Sequence, residues 1–208
     1  IEYAGIGAND SEINALTFYA VGNGTTIENV QTVYANDDAY EFFGGTVNAK
    51  NLVAYATADD DFDFDFGYSG SIQFAVSLRD PKFVDSQDDG NGIESDNDNA
   101  ASSATPITRP RLSNFTLIGP NNAEGVAARH AYGNRWRRGT QFVINNSILM
   151  GHQKGGLNIE SDASAQFYAN GTSEFKNNII AASKDQVLTN AQPVNLTAAV
   201  MLTKVATE

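Results

Sequence analysis

Apolar and polar side chains alternate along this chain in short runs, and glycine, asparagine and aspartate separate the runs. The clearest run is DFDFDF, Asp61 to Phe66, inside the stretch DDDFDFDFGYSG. A strand sends successive side chains to opposite faces, so Phe62, Phe64 and Phe66 are expected on one face and Asp61, Asp63 and Asp65 on the other. Carboxylates two residues apart then lie roughly 6.6 Å from one another. Their repulsion is about 2.5 kcal/mol per pair at a surface-like dielectric. Burying three phenylalanines, at roughly 1.5–3 kcal/mol each, exceeds it. Packing therefore explains the aromatic residues but not why the alternate positions are acids.

The alternation repeats. With a shift of 22 residues, TIENVQTVYANDDAYEFFGG aligns with NAKNLVAYATADDDFDFDFG without a gap. Asn29 meets Asn51, Asp37 and Asp38 meet Asp59 and Asp60, Tyr40 meets Phe62, and Glu41 meets Asp63. One step back, Phe18 is expected to precede Tyr40 in an aromatic column. The same signature returns at Asn114, Asn146 and Asn178, and its acidic part returns in GIESD and LNIESD, while Ser71 to Val76 lacks the asparagine. A period of this length, built of short strands and turns, marks a β-solenoid whose neighbouring coils stack about 4.8 Å apart. The fold class expected is all-β, a right-handed parallel β-helix with longer loops in its second half. Stacking would make a ladder of the asparagines and a column of Glu41, Asp63 and Glu94, which Glu160 is expected to rejoin. TNAQPVNLTAAVMLTKVATE is ambiguous between a closing strand and a short cap.

At 208 residues and 41% hydrophobic, the chain is long enough for one core, and a single domain over residues 1–208 is expected. A formal net charge of −12 argues against nucleic acid or anionic lipid as a partner. Cysteine is absent, so there are neither disulfides nor thiolate metal sites. No apolar run is long enough to span a membrane. The opening IEYAGIG lacks the features of a signal peptide and reads as a strand already under way, as in part of a longer chain.

The stretch DDAYEFFGGTVNAKNLVAYATADDDFDFDFGYSGSIQFAVSLRDP, followed by GIESDND and FTLIGP, resembles a family of secreted Gram-negative bacterial proteins with a pectin-lyase-like right-handed parallel β-helix. The resemblance covers roughly Ile1 to Pro120, and the remainder shares the rung pattern. It implies a secreted or outer-surface location, often within longer chains, and brings no reaction with it.

Two acidic clusters are candidates for calcium, which takes six to eight oxygen ligands. The first comprises Glu41, Asp59, Asp60, Asp61, Asp63 and Asp65; the second comprises Asp88, Asp89, Glu94 and Asp96, with Asp98 beside them. Neither follows the EF-hand loop pattern. GVAARHAYGNRWRRG is the single basic cluster, and Arg129, Arg135, Trp136 and Arg137 are its candidate ligand-binding residues. The bland reading of acids beside arginines is a self-neutralising surface. His130 and His152 read as surface or loop residues, and the sequons at Asn23, Asn114, Asn145, Asn170 and Asn195 as turn positions. Two functions stay open. One is a non-catalytic module binding a polysaccharide or a cell-surface protein. The other is a calcium-assisted polysaccharide lyase or glycoside hydrolase, with Arg129 or Arg135 as a lyase base, or with Asp37, Asp38 and Asp59 to Asp61 as hydrolase carboxylates.

Overall fold

A computed structural model describes residues 1–2, 13–189 and 197–208. Most of IEYAGIG, and Asn195, lie outside the described residues. The first coils contain β1 (Thr17–Tyr19), β2 (Thr26–Val33), β3 (Glu41–Phe43), β4 (Asn48–Tyr55), β5 (Phe62–Asp65) and β6 (Ser71–Leu78). The middle contains β7 (Ile93–Ser95), β8 (Arg111–Ile118), β9 (Tyr132–Trp136), β10 (Val143–Asn145) and β11 (Ile148–Met150). The last part contains β12 (Gly155–Ile159), α1 (Asp162–Ala169), β13 (Glu174–Lys176), β14 (Ile179–Ala181), β15 (Asp185–Thr189) and α2 (Ala198–Thr207).

The strands form two parallel sheets, odd and even strands alternating between them as far as β9. One has the order β1-β3-β5-β7-β9-β12-β15; the other has β13-β10-β8-β6-β4-β2, with β11 and β14 continuing it beyond β8. Each full coil contributes to both sheets, its part in the second sheet being split into two short strands at β10/β11 and β13/β14, as in a right-handed parallel β-helix.

The long even strands bend at one residue in the left-handed region: Asn29, Asn51, Phe74 and Asn114, with φ of 57°, 57°, 61° and 59°. Asn146 and Asn177 adopt the same conformation between the short strands that follow. Asparagine tolerates this region better than other side chains. The Asn51 amide also donates to the Asn29 carbonyl oxygen at 3.1 Å, so the expected ladder forms. Its last position is Asn177, not Asn178. Asn178 is opposite Ser147 and accepts that residue's N–H at 2.8 Å.

Two aromatic columns fill the interior below the seven-stranded sheet. Tyr40 stacks on Phe62 at 5.1 Å, and Phe18, Phe42 and Phe64 stack at 4.6 and 5.3 Å. Phe18 thus meets Phe42 instead of Tyr40, because the register puts β1 opposite β3 with Thr17 on Glu41. Phe66 also departs from the expected pattern. It has φ of 48°, ends the strand ahead of Gly67, and is 52% exposed. Trp136 is fully buried and stacked on Phe142 at 4.4 Å, so it belongs to the core and offers no surface to a ligand. The ambiguous C-terminal stretch forms α2, capped by the Thr197 hydroxyl accepting from Val200 N–H.

Candidate functional site

The outer face of the seven-stranded sheet carries the acids. Register places Glu41, Asp63, Glu94 and Arg135 in one column across β3, β5, β7 and β9. Asn158 takes the next place, opposite Arg135, so Glu160 does not rejoin this column. Its carboxylate reaches back to the Arg135 Nε at 2.9 Å.

A second line of side chains runs along the turn that enters these strands. Asn14 accepts from Asp38 N–H at 3.1 Å, Asp38 from Asp60 N–H at 2.9 Å, Asp60 from Asn91 N–H at 2.6 Å, and Asn91 from Tyr132 N–H at 3.1 Å. Every step satisfies a backbone donor on the next coil through one side-chain oxygen. Asp38 and Asp60 keep a second carboxylate oxygen for another partner. Asn14, Asp38 and Asn91 were not singled out for this role in the sequence. The signal was there in the recurrence of Asx two residues ahead of Leu16, Tyr40, Phe62 and Ile93.

Where the turn line meets the strand column, the carboxylates crowd. Oxygens of Asp38, Glu41 and Asp63 lie within 4.8 Å of one another, as do those of Asp37, Asp38 and Asp59 and those of Asp60, Asp63 and Glu94. Desolvation is the first cause of the resulting shifts. It raises Asp38, Asp59, Asp63 and Glu94 well above the ordinary carboxylate range, and repulsion between neighbouring acids adds to it. Glu41 is pushed up to about 7 by burial, against a hydrogen bond from Asn14. Asp60 is pushed up to about 6, with Arg79 pulling the other way. These groups could hold a metal ion: all donors are hard carboxylate oxygens, drawn from adjacent coils.

Other predicted ligands stand elsewhere. Asp61 precedes the strand and faces inward, where it pairs with the fully buried Arg79 at 3.2 Å. It does not share a face with Asp63. The Arg79 guanidinium also donates to the carbonyls of Thr57, Asp59 and Asn91 and to His130 Nδ1, so every donor it carries is directed at a partner. Arg79 went unnoticed in the sequence, although an arginine closing an apolar strand is itself a sign of a buried counter-charge. His130 and His152 are buried, contrary to expectation. Burial lowers them to about 4 and about 3, and Arg79 reinforces the shift. Asp65 is one strand position beyond the cluster, where it accepts Phe66 N–H at 2.8 Å, and burial raises it to about 6. Asp88 is exposed in a loop and accepts from Asp89 N–H at 2.7 Å, while Asp89 pairs with Lys154 and with Arg129 at 3.6 Å.

The basic cluster neutralises the far end of the strip. Arg135 pairs with Glu94 at 2.9 Å as well as with Glu160. Arg137 contacts Glu94 and pairs with Asp96 at 3.0 Å, and Arg138 pairs with Asp96 at 2.6 Å. Attraction to Glu94 and Glu160 outweighs burial and holds the Arg135 proton more tightly than in a free guanidinium.

These features define a parallel β-helix with a carboxylate-rich strip along one sheet. The family model described as pectate-lyase-like β-helix domain matches residues 1–208, and the chain belongs to that family. Comparison with curated proteins gave no match, and none was found among solved structures. No helix among the described residues is long and apolar enough to cross a membrane.

Proposed function

We propose that this chain is a calcium-stabilised, non-catalytic β-helix module of the cell exterior, one domain of a longer chain, that binds a glycan or a partner protein. The observation that carries this reading is the division of the strip. Arg135 and Arg137 are held by Glu94, Asp96 and Glu160, while Asp38, Glu41 and Asp63 form a carboxylate group with no arginine or lysine among the described residues within ion-pair distance. Calcium would be held by Asp38, Glu41 and Asp63, with Asp59 and Asp60 beside them, and would supply the positive charge that this half of the strip lacks. Asp61 and Asp89 are already paired and are not part of the site.

One observation favours a second reading, calcium-assisted lysis of an acidic polysaccharide. Arg135 continues the column of Glu41, Asp63 and Glu94, which would place a base beside the cation. Its two carboxylate partners oppose the loss of its proton, which weighs against that role.

The deciding experiment combines thermal unfolding in millimolar calcium or EDTA with release of unsaturated uronate from polygalacturonate. The expected result is a calcium-dependent rise in Tm that Glu41→Gln/Asp63→Asn loses, with no unsaturated product. Product release abolished by Arg135→Ala would establish the lyase instead. An unchanged Tm would remove the cation from either reading.

A further inference from the structure

The eight-stranded sheet carries a residue that the fold does not require. Phe74 occupies the left-handed bend that asparagine occupies on five other coils, with φ of 61°. A bulky side chain is strained there. Packing does not account for it: the inward positions of this strand belong to Ile72, Ala75 and Ser77, and Phe74 is 50% exposed. The other exposed rings, Tyr19 and Phe66, lie against Phe43 at 4.8 and 5.8 Å, whereas Phe74 has no ring partner among the described residues. The preceding residue compensates for the missing amide, since Gln73 donates to the Asn114 side-chain oxygen at 3.3 Å. Asn114 thus keeps an amide partner on the coil whose own bend carries an aromatic side chain that faces solvent.

Beside Phe74 lies a shallow cleft of about 280 Å³, lined by Ser71, Gln73, Arg111, Ser113 and Asn145 together with the edges of three apolar residues. A second cleft of about 230 Å³ lies over β2 and β4 on the same face and includes Thr26, Asn48 and Lys50. This face is nearly neutral in a strongly acidic chain. Lys50 is paired with Glu28 at 3.1 Å, and Arg111 donates to the Ser69 carbonyl at 2.9 Å. Hydroxyl and amide groups therefore recur along the solenoid axis at the strand spacing of about 4.8 Å, next to an open aromatic face.

We propose that this face binds a neutral polysaccharide chain lying along the solenoid axis, with the Phe74 ring stacked on one sugar. An extended chain of sugars repeats its hydroxyl groups over a similar distance, so neighbouring coils can meet neighbouring units. The apolar face of a pyranose matches the aromatic ring, and the absence of net charge suits a neutral polymer better than an acidic one. This proposal rests on the binding-module reading above and specifies its ligand and its surface, away from the acidic strip.

The test is affinity gel electrophoresis of the wild-type chain in xylan, galactomannan, mixed-linkage β-glucan and polygalacturonate, with calcium or EDTA. Phe74→Asn and Glu41→Gln/Asp63→Asn are run in parallel. At least one neutral polymer should retard the wild type. Phe74→Asn should weaken that retardation at least tenfold while its Tm stays level or rises, because asparagine suits the bend. Glu41→Gln/Asp63→Asn should be retarded like the wild type. Retardation by polygalacturonate alone, by no polymer, or equally with Phe74→Asn would overturn the proposal. The cation reading is judged separately by the calcium-dependent Tm, so the two can fail independently.

Discussion

The two halves of the acidic strip have the same backbone and opposite electrostatics. On β7 and β9, Glu94 and Asp96 face Arg135, Arg137 and Arg138 within ion-pair distance. On β3 and β5, Glu41 and Asp63 continue the Glu94 column, and their neighbours are the acids Asp38 and Asp60, with Asp59 beside Asp38. One half contains its own counter-ions. The other must take up protons or a cation, or else bear the repulsion. Since stacking holds each column at a fixed pitch, neither half can relax by moving its carboxylates apart.

The largest effect should come from making the second half resemble the first. Arg135→Ala/Arg137→Ala leaves Glu94 and Glu160 without their arginine partners and Asp96 with Arg138 alone, and should cost about 3–5 kcal/mol in denaturant unfolding. Millimolar calcium should restore part of that loss. In the wild type, calcium at a hundred times its dissociation constant should add about 2.7 kcal/mol. Glu41→Gln/Asp63→Asn should remove the gain and, in EDTA, be more stable than the wild type.

A pH comparison separates protons from the metal. Glu41 titrates near 7 in the folded chain, against an ordinary value of 4.5, so the folded state binds more protons between those values. The stability it contributes is fully present below about 4.5 and is lost as pH rises through about 7. In EDTA the chain should therefore melt several degrees higher at pH 6 than at pH 8. Glu41→Gln should narrow the difference, and calcium should largely abolish it. The smallest change should be Asp88→Asn, which alters an exposed loop and should stay within about 0.5 kcal/mol of the wild type with or without calcium.

The coil was legible because an ungapped repeat places equivalent residues at equivalent positions. The match of Glu41 with Asp63 in the sequence is the β3–β5 register in the structure. Two of the departures, Asp61 and Phe66, arose where a strand was assumed to extend further than it does. Asp61 and Phe66 flank β5, and once the backbone leaves the strand, alternation no longer fixes the direction of a side chain. Asp61 consequently turned inward to Arg79, and Phe66 turned outward. That the arginines neutralise acids was legible, but which acid each one meets was not, because partners such as Arg137 and Asp96 belong to different coils separated by a loop of irregular length. The bland expectation of self-neutralisation describes the second half of the strip and fails for the first.

The buried Trp136 has a practical consequence. It is the chain's single tryptophan, and it lies in β9 between Arg135 and Arg137. In a solenoid each coil touches mainly its neighbours, so the ends can unravel with different stabilities. Indole fluorescence will therefore follow the arginine-paired coils, whereas the near-ultraviolet tyrosine signal, to which Tyr19, Tyr34, Tyr40, Tyr55 and Tyr68 contribute besides Tyr132 and Tyr168, will weight the carboxylate-rich coils. Two optical traces from one unmodified sample would show whether the halves melt together, and calcium should draw the tyrosine trace toward the tryptophan trace.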